Sequence, residues 1–230
     1  WKIKTLNAGG EFWLTWGKGT LQSAVARLNA PLFKGAYADR KASKIDNLAL
    51  NAWFQRDGTG FEVSLNSLAM DIASKRWESR LQIKQTAATS DAEELWHLQA
   101  DRLDLTPVTP LLDSLGPLPD KLMEVLDHLK VTGGLRNVLV DYRPQTEGAK
   151  RLSFAANLDK VGFSAYHGAP AAGNVSGAIS GDLGQGELRL NTDDFMLHLD
   201  PIFKNPWNYR HADARLTWAL DDQGFTLIAS

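Results

Sequence analysis

Apolar and polar residues alternate along most of this chain, and the alternation repeatedly changes phase. Phe61, Val63 and Leu65 are odd-numbered, then Leu68, Met70 and Ile72 are even. Trp96, Leu98 and Ala100 are even, then Leu103 and Leu105 odd. Phe154, Ala156 and Leu158 are even, then Val161 and Phe163 odd; Leu188 and Leu190 are even, then Phe195, Leu197 and Leu199 odd. Alternation with period 2 predicts strands with one apolar face. A one-residue slip sends every later side chain to the opposite face, so each flip predicts a bulge, a bend or a break between strands. The flips fall at an acidic residue or Asn followed, one residue on, by two apolar residues. That arrangement occurs five times: Asp46-Asn47-Leu48-Ala49-Leu50, Asn66-Ser67-Leu68-Ala69-Met70, Asp101-Arg102-Leu103-Asp104-Leu105, Asp159-Lys160-Val161-Gly162-Phe163 and Asp193-Asp194-Phe195-Met196-Leu197. The last four carry a flip, and the recurrence predicts one β unit used repeatedly.

Turn chemistry orders these strands. Asp57-Gly58 predicts a hairpin between the alternating segments 48–55 and 61–65, since Asp-Gly supplies the positive φ such turns need. Gly17 and Gly19 predict a turn or bulge, 75–85 a further strand, and the polar segment 86–94 a loop. Strand 175–179 is expected to pair with 186–191 through Gly181-Asp182-Leu183-Gly184, and Asp221-Asp222-Gln223-Gly224 to turn Leu216, Trp218 and Leu220 back into Phe225-Thr226-Leu227. Regular short connections predict a meandering antiparallel sheet rather than βαβ units. One segment departs from period 2. At about 109–130, Leu111, Leu112, Leu115, Leu118, Leu122, Val125, Leu126 and Leu129 form a stripe at helical spacing. Thr109 and Pro110 fit its start, Gly116-Pro117 and Pro119 divide it into two short helices, and Gly133-Gly134 is its expected end. The fold class is mainly β: a twisted antiparallel meander with a short helical insert.

The 230 residues suffice for one large β domain or two small ones, and 25 basic against 27 acidic residues leave a net charge of -2. Such balance gives no general attraction to nucleic acid. With no cysteine, thiolate chemistry and disulfides are excluded. No stretch has the roughly 18 to 20 apolar residues of a membrane helix. The opening at Trp1 and the close in Phe225-Thr226-Leu227-Ile228-Ala229-Ser230 suggest a piece of a longer protein. No nucleophile–base pair or metal cluster emerges. His97, His128, His167, His198 and His211 are scattered, Asp193-Asp194 and Asp221-Asp222 are expected at turns or edges, and Gly17-x-Gly19, Gly58-x-Gly60 and Gly184-x-Gly186 lack a phosphate-loop context. Neither an enzymatic role nor a cofactor or metal is expected. The chain has eight tryptophans. Trp13, Trp16, Trp53, Trp77, Trp96 and Trp218 lie in extended stretches, where cross-strand packing is the first expectation and an exposed stacking surface the second.

From Trp96 onward the order of signals resembles a known family. It runs through Trp96-His97-Leu98-Gln99-Ala100-Asp101-Arg102-Leu103-Asp104-Leu105, then Thr109-Pro110-Leu111-Leu112-Asp113-Ser114-Leu115, then Leu129-Lys130-Val131-Thr132-Gly133-Gly134-Leu135-Arg136-Asn137-Val138. It continues with Leu152-Ser153-Phe154-Ala155-Ala156-Asn157-Leu158-Asp159-Lys160-Val161-Gly162-Phe163, Gly186-Glu187-Leu188-Arg189-Leu190 and Ala214-Arg215-Leu216-Thr217-Trp218. This ordered set resembles AsmA-like proteins of the YhdP type. The resemblance implies a periplasmic segment of an inner-membrane-anchored protein of the bacterial envelope, with its anchor outside residues 1–230. It further implies an elongated β groove that carries phospholipids toward the outer membrane, with no catalytic residues. The implied partners are phospholipid acyl chains, together with inner- and outer-membrane proteins at the ends of the full-length protein.

If the apolar phase lines such an open groove, the residues expected to touch acyl chains are Leu48, Leu50, Phe61, Val63, Leu65, Phe154, Leu158, Leu188, Leu190, Phe195, Leu197, Leu216 and Trp218. Each is an apolar member of an alternating strand. The same alternation suits a filled β-sandwich, so a binding module with a tryptophan platform, for glycan as one instance, is the alternative. A continuous apolar trough favours the groove, and a second sheet packed on the first favours the sandwich.

Overall fold

Spatial order equals chain order in the sheet this chain builds. The structure is a computed structural model that describes all residues except 1, 73, 108–110, 112–123, 125–126, 167–169, 200–202 and 222–223. The strands are β1 (Lys2–Gly17), β2 (Thr20–Ala36), β3 (Ser43–Asp57), β4 (Gly60–Ile72), β5 (Lys75–Thr86), β6 (Leu95–Asp104), β7 (Thr132–Tyr142), β8 (Leu152–Phe163), β9 (Ala171–Asp182), β10 (Gln185–His198), β11 (Trp207–Asp221) and β12 (Gly224–Ala229). Together they form one 12-stranded antiparallel meander in which β1 and β12 are the two free edges, so the sheet is open and not a barrel. Among the described residues, extensive packing between strands occurs only between sheet neighbours. Among the described residues no second sheet lies on the first, and this single layer overturns the β-sandwich alternative.

The connections alternate between two rims. Turns β1–β2, β3–β4, β5–β6, β7–β8 and β9–β10 lie on the upper rim, and β2–β3, β4–β5, β6–β7, β8–β9 and β10–β11 on the lower. Lys18 and Gly19 supply positive φ to the first upper hairpin, and Gly58 to the second.

The phase flips are bulges inside continuous strands. Asn47, Asn137, Lys160, Asn174 and Asp194 have φ of 49°, 50°, 51°, 57° and 53° in mid-strand. Asn and Asp enter this region more readily than other non-glycine residues, because their short side chains hydrogen-bond locally. Pairing slips between Asp46 and Ala49, Leu65 and Leu68, Arg136 and Leu139, Leu158 and Val161, and Leu190 and Met196. At Asp101 the register of β6 with β7 does not slip: Ala100 faces Val138 and Leu103 faces Leu135, so both strands change phase together. Asp101 Oδ1 accepts the Arg80 N–H at 2.7 Å and the Ser79 hydroxyl at 3.1 Å, satisfying donors beside the point where β5–β6 pairing stops.

Several expectations need correction. Asp193 and Asp194 sit at the bulge of β10, an interior strand, and not in a turn or at an edge. The helical insert begins at 105–107, before Thr109, and Asp104 Oδ1 accepts the Thr106 N–H at 3.2 Å. Residues 127–129 are helical, and Lys130 at φ 47° leaves the helix. Gly133 and Gly134 therefore do not end it; they belong to β7. Thr109, Pro110, Leu112, Leu115, Leu118, Leu122, Val125 and Leu126 lie outside the described residues.

Candidate functional site

Because side chains alternate and neighbouring strands are in register, apolar residues line up across the sheet in rows. The upper row runs Ala24, Phe54, Val63, Ile83, Leu98, Val140, Phe154, Gly181, Gly186 and Trp218, from β2 to β11. The middle row runs Ala26, Ala52, Leu65, Leu81, Ala100 and Val138, and resumes past the β7 bulge with Ala156, Ile179, Leu188 and Leu216. Below it, Leu28, Leu50 and Leu68 pair on one side, and Leu103, Leu135, Leu158, Gly177, Leu190 and Ala214 on the other. No polar side chain interrupts the upper and middle rows, whereas Ser79, opposite Leu68, breaks the lowest one. At the usual spacing of about 4.8 Å between strands, a row from β2 to β11 spans about 43 Å.

All 13 residues picked from the sequence fall on this one face. Leu48 and Leu50 come from β3, Phe61, Val63 and Leu65 from β4, Phe154 and Leu158 from β8, Leu188, Leu190, Phe195 and Leu197 from β10, and Leu216 and Trp218 from β11. They are not equally accessible: Leu190 is only 6% exposed, while Val63, Leu188 and Leu216 are half-buried. Sequence reasoning predicted strands between them but drew no site residue from those strands. Leu81, Ile83, Leu98, Leu135, Val140 and Ile179 complete the rows.

The two rims of the face differ. Along the lower rim, Ile45, Leu68, Met70, Ile72 and Trp77 form a buried cluster, and Leu111 of the insert packs against it. Leu105 and Val131, at either end of the insert, pack with Val161, Ala172, Val175 and Leu190. A single-layer sheet cannot bury its own face, so the insert supplies part of the cover there. Along the upper rim the side chains are half-buried and aromatic. Phe61 lies 6.0 Å from Phe54 and meets Trp96 edge-on at 5.6 Å, and Phe154 stacks on Trp218 at 6.5 Å. Trp96 Nε1 donates to Glu94 at 2.8 Å.

The opposite face is polar over most of its width. Its central row runs Trp53, Ser64, Gln82, Gln99, Leu139, Ala155, Ser180, Glu187 and Thr217. Hydrogen bonds from Arg189 and then Arg215 hold the Glu187 carboxyl below the usual carboxylate range. Arg136 pairs with Asp159 at 2.6 Å. Near β1 this face carries Trp13, with the Arg27 guanidinium 5.4 Å above its ring. The tryptophans thus divide: Trp77 is buried, Trp96 and Trp218 line the apolar face, and Trp13 and Trp16 are exposed on the edge strand. Among the described residues no three His, Asp or Glu side chains gather as a metal-holding group. His97 instead pairs with Asp141 at 2.6 Å and His211 with Asp193 at 2.9 Å.

This arrangement can hold long apolar chains without directional contacts, with water on the other face. The profile of the family described as YhdP protein matches residues 1–229. The chain is 22% identical over 191 residues to a protein named intermembrane phospholipid transporter YhdP from Escherichia coli (strain K12), an alignment that covers 80% of this chain. It takes in 15% of that relative's length. No solved structure matches the chain.

Proposed function

The chain belongs to the YhdP protein family, and on that premise we propose that it is one segment of a longer periplasmic β groove that carries phospholipids between the inner and outer membranes of a Gram-negative bacterium. The acyl chains travel across the strands along the apolar rows, and the polar face meets the periplasm. In the full-length protein an inner-membrane anchor lies outside these residues, and proteins of either membrane engage its ends.

The observation that carries this is the uninterrupted apolar row from Ala24 to Trp218, half-buried and, among the described residues, without a second layer over it. Soluble monomers rarely expose contiguous apolar patches beyond a few hundred Å², so a ligand of matching chemistry is the natural cover. Each methylene removed from water contributes about 0.8 kcal/mol, and a row built from many strands offers similar surface at every step. An acyl chain can therefore shift along it without losing a specific bond. The relative's name specifies a phospholipid cargo, and no catalytic group is required for such transfer.

The test is lipid content. Phospholipid extracted from the purified protein and quantified by mass spectrometry should accompany the wild type. It should be lost in Val63→Arg and Leu98→Arg, whose charges lie on an open wall that water reaches. Lipid-free wild-type protein, or full occupancy in both variants, contradicts the proposal.

A further inference from the structure

The two rims of the trough differ in what packs over them, which gives a bound lipid a direction. The upper rim carries Phe54, Phe61, Trp96, Tyr142, Phe154 and Trp218, whereas the middle row has only aliphatic residues from Ala26 to Leu216. Two guanidinium groups stand among these rings. Arg56 donates through Nε to the Leu21 carbonyl at 3.2 Å, and Arg151 lies 5.5 Å over the Tyr142 ring while donating to its hydroxyl at 3.0 Å. Glu94 accepts from Gln85 at 3.0 Å and from Trp96 at 2.8 Å. This rim therefore bears both signs of charge beside amphipathic rings. The lower rim has aromatic pairs as well, Phe195 with Tyr209 and Phe203 with Trp207, but it is the one against which Leu105, Leu111 and Val131 pack.

The geometry points to phospholipids that lie with their acyl chains across the middle row and their glycerophosphate headgroups over the upper rim, provided that the trough is the acyl-chain path proposed above. Tryptophan and tyrosine concentrate where hydrocarbon meets water, because one part of each ring is apolar and another hydrogen-bonds. Guanidinium groups recognise phosphodiester oxygens through paired N–H donors. Glu94 complements the ammonium of a zwitterionic headgroup. A headgroup at the lower rim would instead meet Leu111 and the buried cluster around Met70, with no water to solvate its charge.

Two photoreactive phosphatidylethanolamines separate orientation from binding, one with a diazirine on the headgroup and one with it at the acyl terminus. Each is loaded on the full protein, irradiated, and the adducts mapped by tandem mass spectrometry. Headgroup adducts should be several-fold more frequent at upper-rim residues near Gly60, Glu94 and Arg151 than at lower-rim residues near Lys75 and Phe163. Tail adducts should fall on Leu65, Leu81 and Leu188. Headgroup adducts at the lower rim, or equally at both, overturn the orientation while tail adducts in the trough leave lipid binding intact. Absence of tail adducts from the trough overturns both. Arg151→Ala should reduce headgroup adducts near Tyr142 several-fold and leave tail adducts in place, and unchanged headgroup adducts in this variant count against the role of the guanidinium.

Discussion

Phe154 on β8 and Trp218 on β11 stack with centroids 6.5 Å apart and planes inclined by 10°, although two strands lie between them. The strands between place Gly181 and Gly186 in the same row, so the two rings lean toward each other over bare backbone. A Cβ on Gly186 would collide with the Trp218 ring. Gly186→Val should displace that ring and cost about 1–3 kcal/mol through overpacking. The expected signs are a lower Tm and a red-shifted Trp emission. An unchanged emission spectrum would mean the stack does not form.

The Asn174 bulge supports a paired substitution test. Asn174 has φ 57° and donates through Nδ2 to the Asp194 carbonyl at 3.1 Å, linking the bulges of β9 and β10. Asn174→Val places a β-branched residue in the left-handed region, at a cost of about 1–2 kcal/mol plus the lost hydrogen bond. Asn174→Gly loses only the hydrogen bond. Chemical denaturation should rank stability as wild type, then Asn174→Gly, then Asn174→Val. A valine variant as stable as the glycine variant removes the bulge conformation as the reason for Asn here.

Leu111 is the point at which the insert meets the core cluster of Ile45, Met70, Ile72 and Trp77. Leu111→Asp would put a carboxylate against that cluster and should cost on the order of 2 kcal/mol. Urea denaturation at neutral pH measures it, and a midpoint equal to wild type means the insert does not cover the lower rim.

Glu187 gives a signed pH dependence. Its carboxyl is held below its ordinary value by Arg189 first and Arg215 second. A depressed carboxylate contributes stability that is present above its unfolded pKa, about 4.3 for Glu, and lost as pH falls through the lower folded value. Glu187→Gln should flatten the Tm–pH curve below about pH 4.3 and leave its slope near neutrality unchanged. A variant curve parallel to wild type in the acid range contradicts the linkage.

The bulges beside Asp159 and Asp193 were legible because their chemistry is local, whereas those at Asn137 and Asn174 were not read. Positive φ in mid-strand favours Asn or Asp, so a flip in apolar phase beside such a residue marks the kink. The flip between Ile45 and Leu48 escaped notice because Ile45 precedes the polar pair by only one position and stands outside any longer run. The rows were not legible. They depend on the register of every adjacent pair, and a sequence gives the parity of each strand without its alignment to the next. Trp77 and Trp16 show the same limit: both stand in alternating segments, yet one is buried under the insert side of the sheet and the other lies exposed on the edge strand. Gly133-Gly134 misled because a glycine pair after a helical stripe looks like a C-cap, whereas here a positive φ at Gly133 lets β7 kink against β8 near Lys160.

Site-specific photo-crosslinking in cells distinguishes a lipid-conducting face from an inert one. Leu188 and Arg189 are neighbours on β10; Leu188 belongs to the middle apolar row and Arg189 donates to Glu187 on the polar face. A photoreactive amino acid at Leu188 should capture phospholipid, and the same group at Arg189 should not. Equal labelling at both positions, or none at Leu188, would contradict a lipid path along the apolar rows.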